Sequence, residues 1–456
     1  MYQTVRPRGN LIFLRLFGEA RSCFAGLRFT PACRQAGRLA HNDNLTTNYC
    51  VTHVVDYLNI SKIISHIAIK QFNNYNSLML QSLDALLVTD PTNIYYLTGF
   101  MGLAPDEREA YVLVTQDKLY LFTNPLYREQ AEKIIQLPNN QINTNNPIPK
   151  EYIEISRENP LAIQIKKVLD ALSLTRTIKV GFEENNLTVA EMHALKKDLD
   201  GFNLVPTRNR IEELRKFKRP DEIAQIKSAC KLTDNCFDFI LTKLIPGVTE
   251  TEIAWEIESY FKKRGAENAF PPIVAFGKNS SQPHYSSSIR YTLDAKRSLV
   301  LLDFGARVNG YCADMTRMLF MGLPKTEWKK AYQALKLAQQ KALSYLAQSF
   351  QYIDILKNQR RKISGAELDQ LVRKELAKFG YPPYPHSLGH AVGLAIHEAP
   401  RLSIRRDEEL KPGMIFSVEP GIYVPGQFGM RIEDLVLLTE NGIEVLSKST
   451  KEMMIL

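Results

Sequence analysis

Ser298-Leu-Val-Leu-Leu-Asp303-Phe-Gly305 and Gly310-Tyr-Cys-Ala-Asp314-Met-Thr-Arg317-Met-Leu-Phe320 are two apolar, β-prone runs joined by Ala306-Arg307-Val308-Asn309. Asn309-Gly310 is a strong hairpin signal, so the runs read as antiparallel neighbours. With the loop at Asn309-Gly310, Asp314 falls opposite Gly305, two residues from Asp303. With the loop at Val308-Asn309, the two Asp residues oppose one another directly. Strand alternation puts both carboxylates on one face in either register. Like charges side by side on an apolar hairpin repel, and burying them unpaired costs roughly several kcal/mol. A bound cation would resolve that; a solvated acid pair, or neutralisation by Arg317, is the plainer alternative.

Three segments downstream favour the cation. His386-Ser-Leu-Gly-His390-Ala-Val-Gly-Leu-Ala-Ile-His397-Glu398 packs three imidazoles and two Gly into thirteen positions. Met414-Ile-Phe-Ser-Val418 reads as a buried strand ending in Glu419, with Pro420-Gly421 turning the chain. In Arg431-Ile-Glu433-Asp434-Leu435, alternation puts Glu433 inward with Arg431 beside it as a charge partner and turns Asp434 away. Four carboxylates and one imidazole form a hard donor set without thiolate, suited to Mn²⁺ or Co²⁺ rather than to a structural zinc. The combination reads as a two-metal hydrolase centre.

The surrounding pattern is α+β. Pro220-Asp-Glu222 opens a long helix that Pro246-Gly247 stops. Thr249-Glu-Thr-Glu252 and Ser364-Gly-Ala-Glu367 are capping boxes, with Gly265 and Gly380 as helix stops. Helices would pack on one side of a curved antiparallel sheet carrying every candidate ligand. Upstream, residues 84–205 read as an α/β domain: strands at Asp84–Thr89 and Asn93–Leu97, a hairpin from Ala110–Thr115 and Lys118–Phe122, and a strand at Ile178–Phe182. Helices are expected near 127–136, 160–172 and 188–199, with a loop at Asn139–Asn146 and a linker at Arg208–Arg219. The expected boundaries are 1–76, 77–207 and 208–456.

Length and composition agree with that plan. The 456 residues exceed one ordinary core, and 45% hydrophobic with 23% charged residues excludes a mainly disordered chain. The net charge of +9 is partly local, since the first forty residues hold seven Arg against Glu19 alone. No basic cluster interleaves with aromatics, so nucleic acid is not expected as a partner. No apolar run reaches membrane-spanning length. Six scattered cysteines without ligand spacing suit a reduced, cytoplasmic protein. Residues 1–61 lack Lys entirely. Residues 1–76 are therefore expected to be a disordered or non-native extension; an Arg-rich organelle-targeting segment is the alternative.

These motifs resemble the pita-bread metallopeptidases, in the branch of aminopeptidase P and Xaa-Pro dipeptidase (prolidase), over about residues 80–456. The likeness is densest in 280–440. The upstream half resembles the creatinase-type amino-terminal domain. The resemblance implies that Asp303, Asp314, His390, Glu419 and Glu433 ligate two divalent ions, Mn²⁺ first, with Co²⁺, Zn²⁺ or Fe²⁺ admitted. Asp314 and Glu433 would bridge, Asp303 would complete one ion, and His390 with Glu419 the other. It further implies hydrolysis of an amino-terminal Xaa-Pro bond by a hydroxide shared between the ions, with Glu419 shuttling the proton. His284 and His397 would face the substrate carbonyl, and His386 and Arg431 would stand behind the ligands or line a proline pocket. A proline-containing peptide substrate and a homodimer are implied as well. No ligand is missing, which argues against the creatinase branch and metal-free relatives. The upstream domain and Pro283-His284-Tyr285 argue against methionine aminopeptidase. Another two-metal amidohydrolase, or a silent binding module on this fold, are the competing readings.

Overall fold

The computed structural model describes residues 79–456, apart from 105–106, 137–148, 173, 175–176, 295, 352 and 355–358. The expectations for residues 1–76 and for the loop at Asn139–Asn146 lie outside the described residues. Met79 and Leu80 are helical.

The upstream half is built on a six-stranded mixed sheet. Its centre, Ala85–Val88, runs antiparallel to Ala110–Thr115 and parallel to Lys179–Glu183. Ala110–Thr115 and Leu119–Thr123 form the expected hairpin. Helices Arg128–Gln136, Leu161–Asp170 and Val189–Asp198 follow the expected pattern. Asn93–Leu97 does not: it lies in the α-helix Pro91–Thr98. Its β-prone side chains are overridden by a helix start, with Pro91 in the first turn and the Asp90 carboxylate accepting from Asn93 N.

The linker is not a passive tether. Arg210–Arg215 is helical, and Arg215 and Lys218 are buried. One apolar cluster joins Leu86, Ile94 and Leu97 of the upstream half to Tyr311, Val392, Leu394 and Ile415 downstream. The two halves therefore share a core.

Downstream, the decisive hairpin forms as Ser298–Phe304 against Met315–Met321, with Asp303 paired to Thr316. Val308 pairs with Tyr311, so the loop is Asn309-Gly310 and both residues take positive φ. A four-stranded sheet holds this hairpin. A five-stranded sheet carries Gly389–Ala391, Ile415–Val418 and Asp434–Thr439. Glu433 N donates to Thr316 O across the two sheets at 3.3 Å.

Helices cover both faces of the hairpin, not one. Phe320 meets Trp328 and Tyr332 of helix Thr326–Gln351 on one face, and Phe304 meets Phe261 of helix Glu250–Lys262 on the other. The unbroken run Leu299–Leu302 already carried the signal of two-sided burial. Thr249 and Glu252 form the full capping box. At Ser364 only half of it forms: the hydroxyl accepts from Glu367 N, while the Glu367 carboxylate turns to Tyr345 and Arg361.

Candidate metal centre

The strand pattern delivers five acids and imidazoles to one place. Asp303 and Thr316 are cross-strand partners, and Asp314 lies two residues before Thr316, so all three project from the same face. His390 comes from the neighbouring sheet after Gly389, where an added Cβ would fall 1.9 Å from Ser417 O. Glu419 follows the end of strand Ile415–Val418, and Glu433 lies in the break between strands Phe428–Arg431 and Asp434–Thr439. His390 Nε2 is 3.6 Å from Asp314 Oδ2 and 3.4 Å from Glu419 Oε1. Ligand atoms of Asp314, His390 and Glu433 all lie within 4.8 Å of one another.

Hydrogen bonds hold the cage but leave its inner surface bare. Thr316 Oγ1 donates to Glu433 Oε2 at 2.7 Å and accepts from Arg431 Nε at 3.0 Å. Ser417 Oγ accepts from His390 N and donates to Glu419 Oε1 at 3.2 Å. Arg431 also donates to Asp303 Oδ2 and, at 2.7 Å, to the Tyr423 hydroxyl. Asp303 Oδ1, Asp314 Oδ1 and Glu433 Oε1 are buried with no partner. His390 Nδ1 lies 3.3 Å from Ala391 O. Donation there leaves Nε2 as a lone pair aimed at two carboxylates, which is repulsive unless a cation lies between.

The titration pattern has the same cause. Burial, reinforced by Glu433 and Asp303, raises the Asp314 carboxyl well above the usual range. Burial, with Glu419 and Asp303, does the same to Glu433. Burial pushes Glu419 up to about 8 against the pull of Arg431. Burial and the neighbouring His397 push His390 down to about 3, so its imidazole is neutral. Among the described residues, Arg431 is the one Lys or Arg that hydrogen-bonds any of the four carboxylates, and it does so at Asp303. Bare oxygens, a neutral imidazole lone pair and mutual repulsion fit a hard divalent cation.

The remaining expected residues surround the cage. His397 packs edge-on to His390 with ring centroids 4.4 Å apart. His397 and His284 are exposed at the mouth and near enough to interact electrostatically. The His284 loop is tied down by buried Glu250, which accepts from the Tyr285 hydroxyl at 2.8 Å, Asn279 Nδ2 and Ser288 N. His386 Nε2 lies 3.0 Å from the Tyr423 hydroxyl, and its Nδ1 lies 2.8 Å from Ser387 O. Because arginine only donates, Tyr423 accepts from Arg431 and passes its own proton to His386 Nε2.

Arg317 does not neutralise the acid pair. It lies on the opposite face of its strand and binds Asp434 at 2.7 Å. Arg431 pairs with Asp303 rather than with Glu433, which it reaches through Thr316. Sequence reasoning missed Thr316, Ser417, Tyr423, Glu250 and Arg401. The first two were within reach of strand alternation, two residues from Asp314 and from Glu419. Arg401 pairs across the strands with His390, so its exposed guanidinium shares the face of the cage. Among the described residues, no helix is long and apolar enough to cross a membrane.

A hairpin-borne carboxylate cage on two sheets, preceded by a mixed-sheet domain, defines a metallohydrolase. The chain belongs to metallopeptidase family M24, which residues 224–440 match, and residues 76–217 match the creatinase/prolidase amino-terminal domain. It is 32% identical over 375 residues to a Xaa-Pro dipeptidase of Pyrococcus furiosus, spanning 82% of this chain and 96% of that protein. Among solved structures it resembles the Xaa-Pro dipeptidase from Bacillus anthracis, with a TM-score of 0.73 and 32% identity over 85% of this chain and 100% of that one. An X-Pro aminopeptidase from Thermotoga maritima gives 0.69 and 28%, covering 82% and 96%.

Proposed function

We propose that this metallopeptidase is an exopeptidase cleaving the Xaa-Pro bond of dipeptides or of peptide amino termini. The supporting observation is the cage itself: three buried carboxylate oxygens without partners beside the His390 lone pair. The names of the relatives supply the bond. Asp303, Asp314, His390, Glu419 and Glu433 would hold two divalent ions, with Mn²⁺ the first choice for this donor set. Bound there, such ions supply Lewis acidity that polarises a carbonyl and makes water nucleophilic near neutral pH.

The protein's own groups do the rest. Glu419 has the most exposed of the four carboxylates, 13% against 9% for Asp303, 7% for Asp314 and 2% for Glu433 as a whole residue. It is therefore the one able to take a proton from the attacking water and hand it to the leaving proline nitrogen. His284 and His397 donate to the scissile carbonyl oxygen as it gains charge. His386, Tyr423 and Arg431 fix the wall behind Asp303 and Glu419. Arg401 offers a cation to a carboxylate one residue beyond the scissile bond, which suits a dipeptide. On the same resemblance we assign the amino-terminal domain to 77–207 and the catalytic domain to 208–456, and infer a cytoplasmic homodimer.

The test is metal content by mass spectrometry together with proline release from Ala-Pro and Ala release from Ala-Pro-Ala-Ala, with Mn²⁺ supplied. Stoichiometric metal and cleavage of a proline bond, but not of Ala-Ala, are expected. A metal-free protein, or equal cleavage of Ala-Ala, would end this reading.

A further inference from the structure

We propose that Glu398 is a positioning residue for His397, and that Arg215, Lys218 and Asn93 clamp it so that the amino-terminal half of the chain sets where that imidazole stands. The proposal rests on the reading above in one respect, that His397 meets the substrate.

The loop leading to His397 has little regular backbone pairing of its own. It is folded around the Glu398 carboxylate, which accepts from Ala395 N at 3.0 Å. A Cβ at Gly393 would fall 2.5 Å from Glu398 Oε2, so the chain passes directly against that group. The carboxylate is in turn gripped from outside the loop. Arg215 Nη2 donates to Oε1, and Lys218 Nζ donates to Oε2 at 3.0 Å. All three side chains are buried, at 7%, 1% and 6% exposure for Arg215, Lys218 and Glu398.

The grip continues into the first domain. Arg215 Nη1 donates to Asn93 Oδ1 at 2.7 Å. Asn93 Nδ2 donates to Glu183 Oε1 at 2.7 Å and to Glu212 Oε1 at 2.9 Å. Glu183, at the end of a central strand, also accepts from Thr89 N and Asp90 N at the start of helix Pro91–Thr98. An unbroken chain of polar contacts thus runs from the first sheet to the residue after His397. Apolar packing would hold the two halves together equally well, and a buried ion pair is weak evidence for stability. What directional, charge-assisted bonds add is a fixed position for the loop they grip. A histidine that donates to a substrate carbonyl needs that, because a misplacement of about 1 Å costs on the order of 100-fold in rate.

The test uses the full chain loaded with Mn²⁺ and an Ala-Pro substrate. Glu398→Gln keeps the shape and the Ala395 bond; Asn93→Ala cuts the chain of contacts two links away; Arg215→Lys is the conservative replacement. We expect Glu398→Gln and Asn93→Ala to lower kcat on the order of 10- to 100-fold with KM and metal content unchanged, and Arg215→Lys, which keeps a cation on Glu398 but loses the fork to Asn93, to fall by a similar factor. In a His397→Ala background, Glu398→Gln should cost less than about twofold more, since both act through one group. Effects that multiply, or that merely track a fall in Tm, overturn the proposal. A readout without turnover separates its failure from that of the functional reading. In ¹⁵N-histidine spectra, Asn93→Ala should shift the His397 ring signals and leave exposed His193 unmoved; unmoved His397 signals overturn the clamp even if Xaa-Pro cleavage stands.

Discussion

Thr316 Oγ1 donates to Glu433 Oε2 at 2.7 Å while accepting from Arg431 Nε at 3.0 Å. Arginine has no acceptor, so the single hydroxyl proton is committed to Glu433 and the bare Oε1 is turned into the cage. Replacing Thr316 with Val keeps the shape and removes both bonds. Metal affinity should fall about 10- to 100-fold without being abolished, as for other partners standing behind ligands. Titration of the metal-free variant by calorimetry gives the number. Unchanged affinity would mean that Glu433 needs no orienting.

Without cations the cage should make stability fall as pH rises through neutrality. The sign follows from proton counts. Asp314, Glu433 and Glu419 have raised values in the folded protein, Glu419 about 8. Between the ordinary carboxylate range and pH 8, the folded state binds more protons than the unfolded one, so the slope of unfolding free energy with pH is negative. Buried His386 and His390, both lowered to about 3, act oppositely, but their contribution is complete above about pH 6.5. From about pH 6.5 to 8 the three carboxylates therefore set the sign, and Lys150, lowered to about 8 by burial, opposes them only toward the upper end. Thermal melts of chelator-treated protein should show Tm dropping across it, and Mn²⁺ should reverse the drop. A flat or rising Tm would mean that the acids do not repel one another.

Much of this site was legible because acids in apolar strands are costly, and cost is readable. Asp303, Asp314, Glu419 and Glu433 stand out against their neighbours, and Asn309-Gly310 fixes the hairpin that joins the first two. What the sequence hid were choices between two physically sound options. Asn93–Leu97 has strand-forming side chains, yet the helix start at Asp90-Pro91 decides its state. Glu367 could close a capping box or pair with Arg361, and only the position of Tyr345 tips it outward. Arg215 and Lys218 look like linker charges until the fold buries them against Glu398, 183 and 180 positions on.

Arg317 should be a structural cation with a catalytic bystander's position. Its guanidinium is 1% exposed, binds Asp434, and donates to the Glu433 carbonyl at 2.6 Å and to Ser449 O. Lys451 grips the other oxygen of Asp434. Changing Arg317 to Met leaves Asp434 buried with one cation, and breaking a buried pair this way costs about 3–5 kcal/mol. Denaturant unfolding of the metal-loaded variant should show that loss. A loss under about 1 kcal/mol would mark the pair as dispensable.

On the proposed function, Arg401 should discriminate between a dipeptide and a longer substrate. It pairs across the strands with His390, and its charge reaches His390, His397 and Glu419 strongly enough to affect their titration. A dipeptide carries its own carboxylate one residue past the scissile bond, where a longer peptide has an amide, and the proposal puts that group beside Arg401. A charge-assisted bond is about twice as strong as a neutral one and contributes about 1.5–3 kcal/mol. Arg401→Ala should therefore raise KM for Ala-Pro roughly 10- to 150-fold, and for Ala-Pro-Ala-Ala only a few-fold. Metal content should stay the same, because the guanidinium touches no ligand directly. Steady-state kinetics on the two peptides decide it: equal losses on both would make Arg401 a general electrostatic contributor with no part in discriminating substrate length.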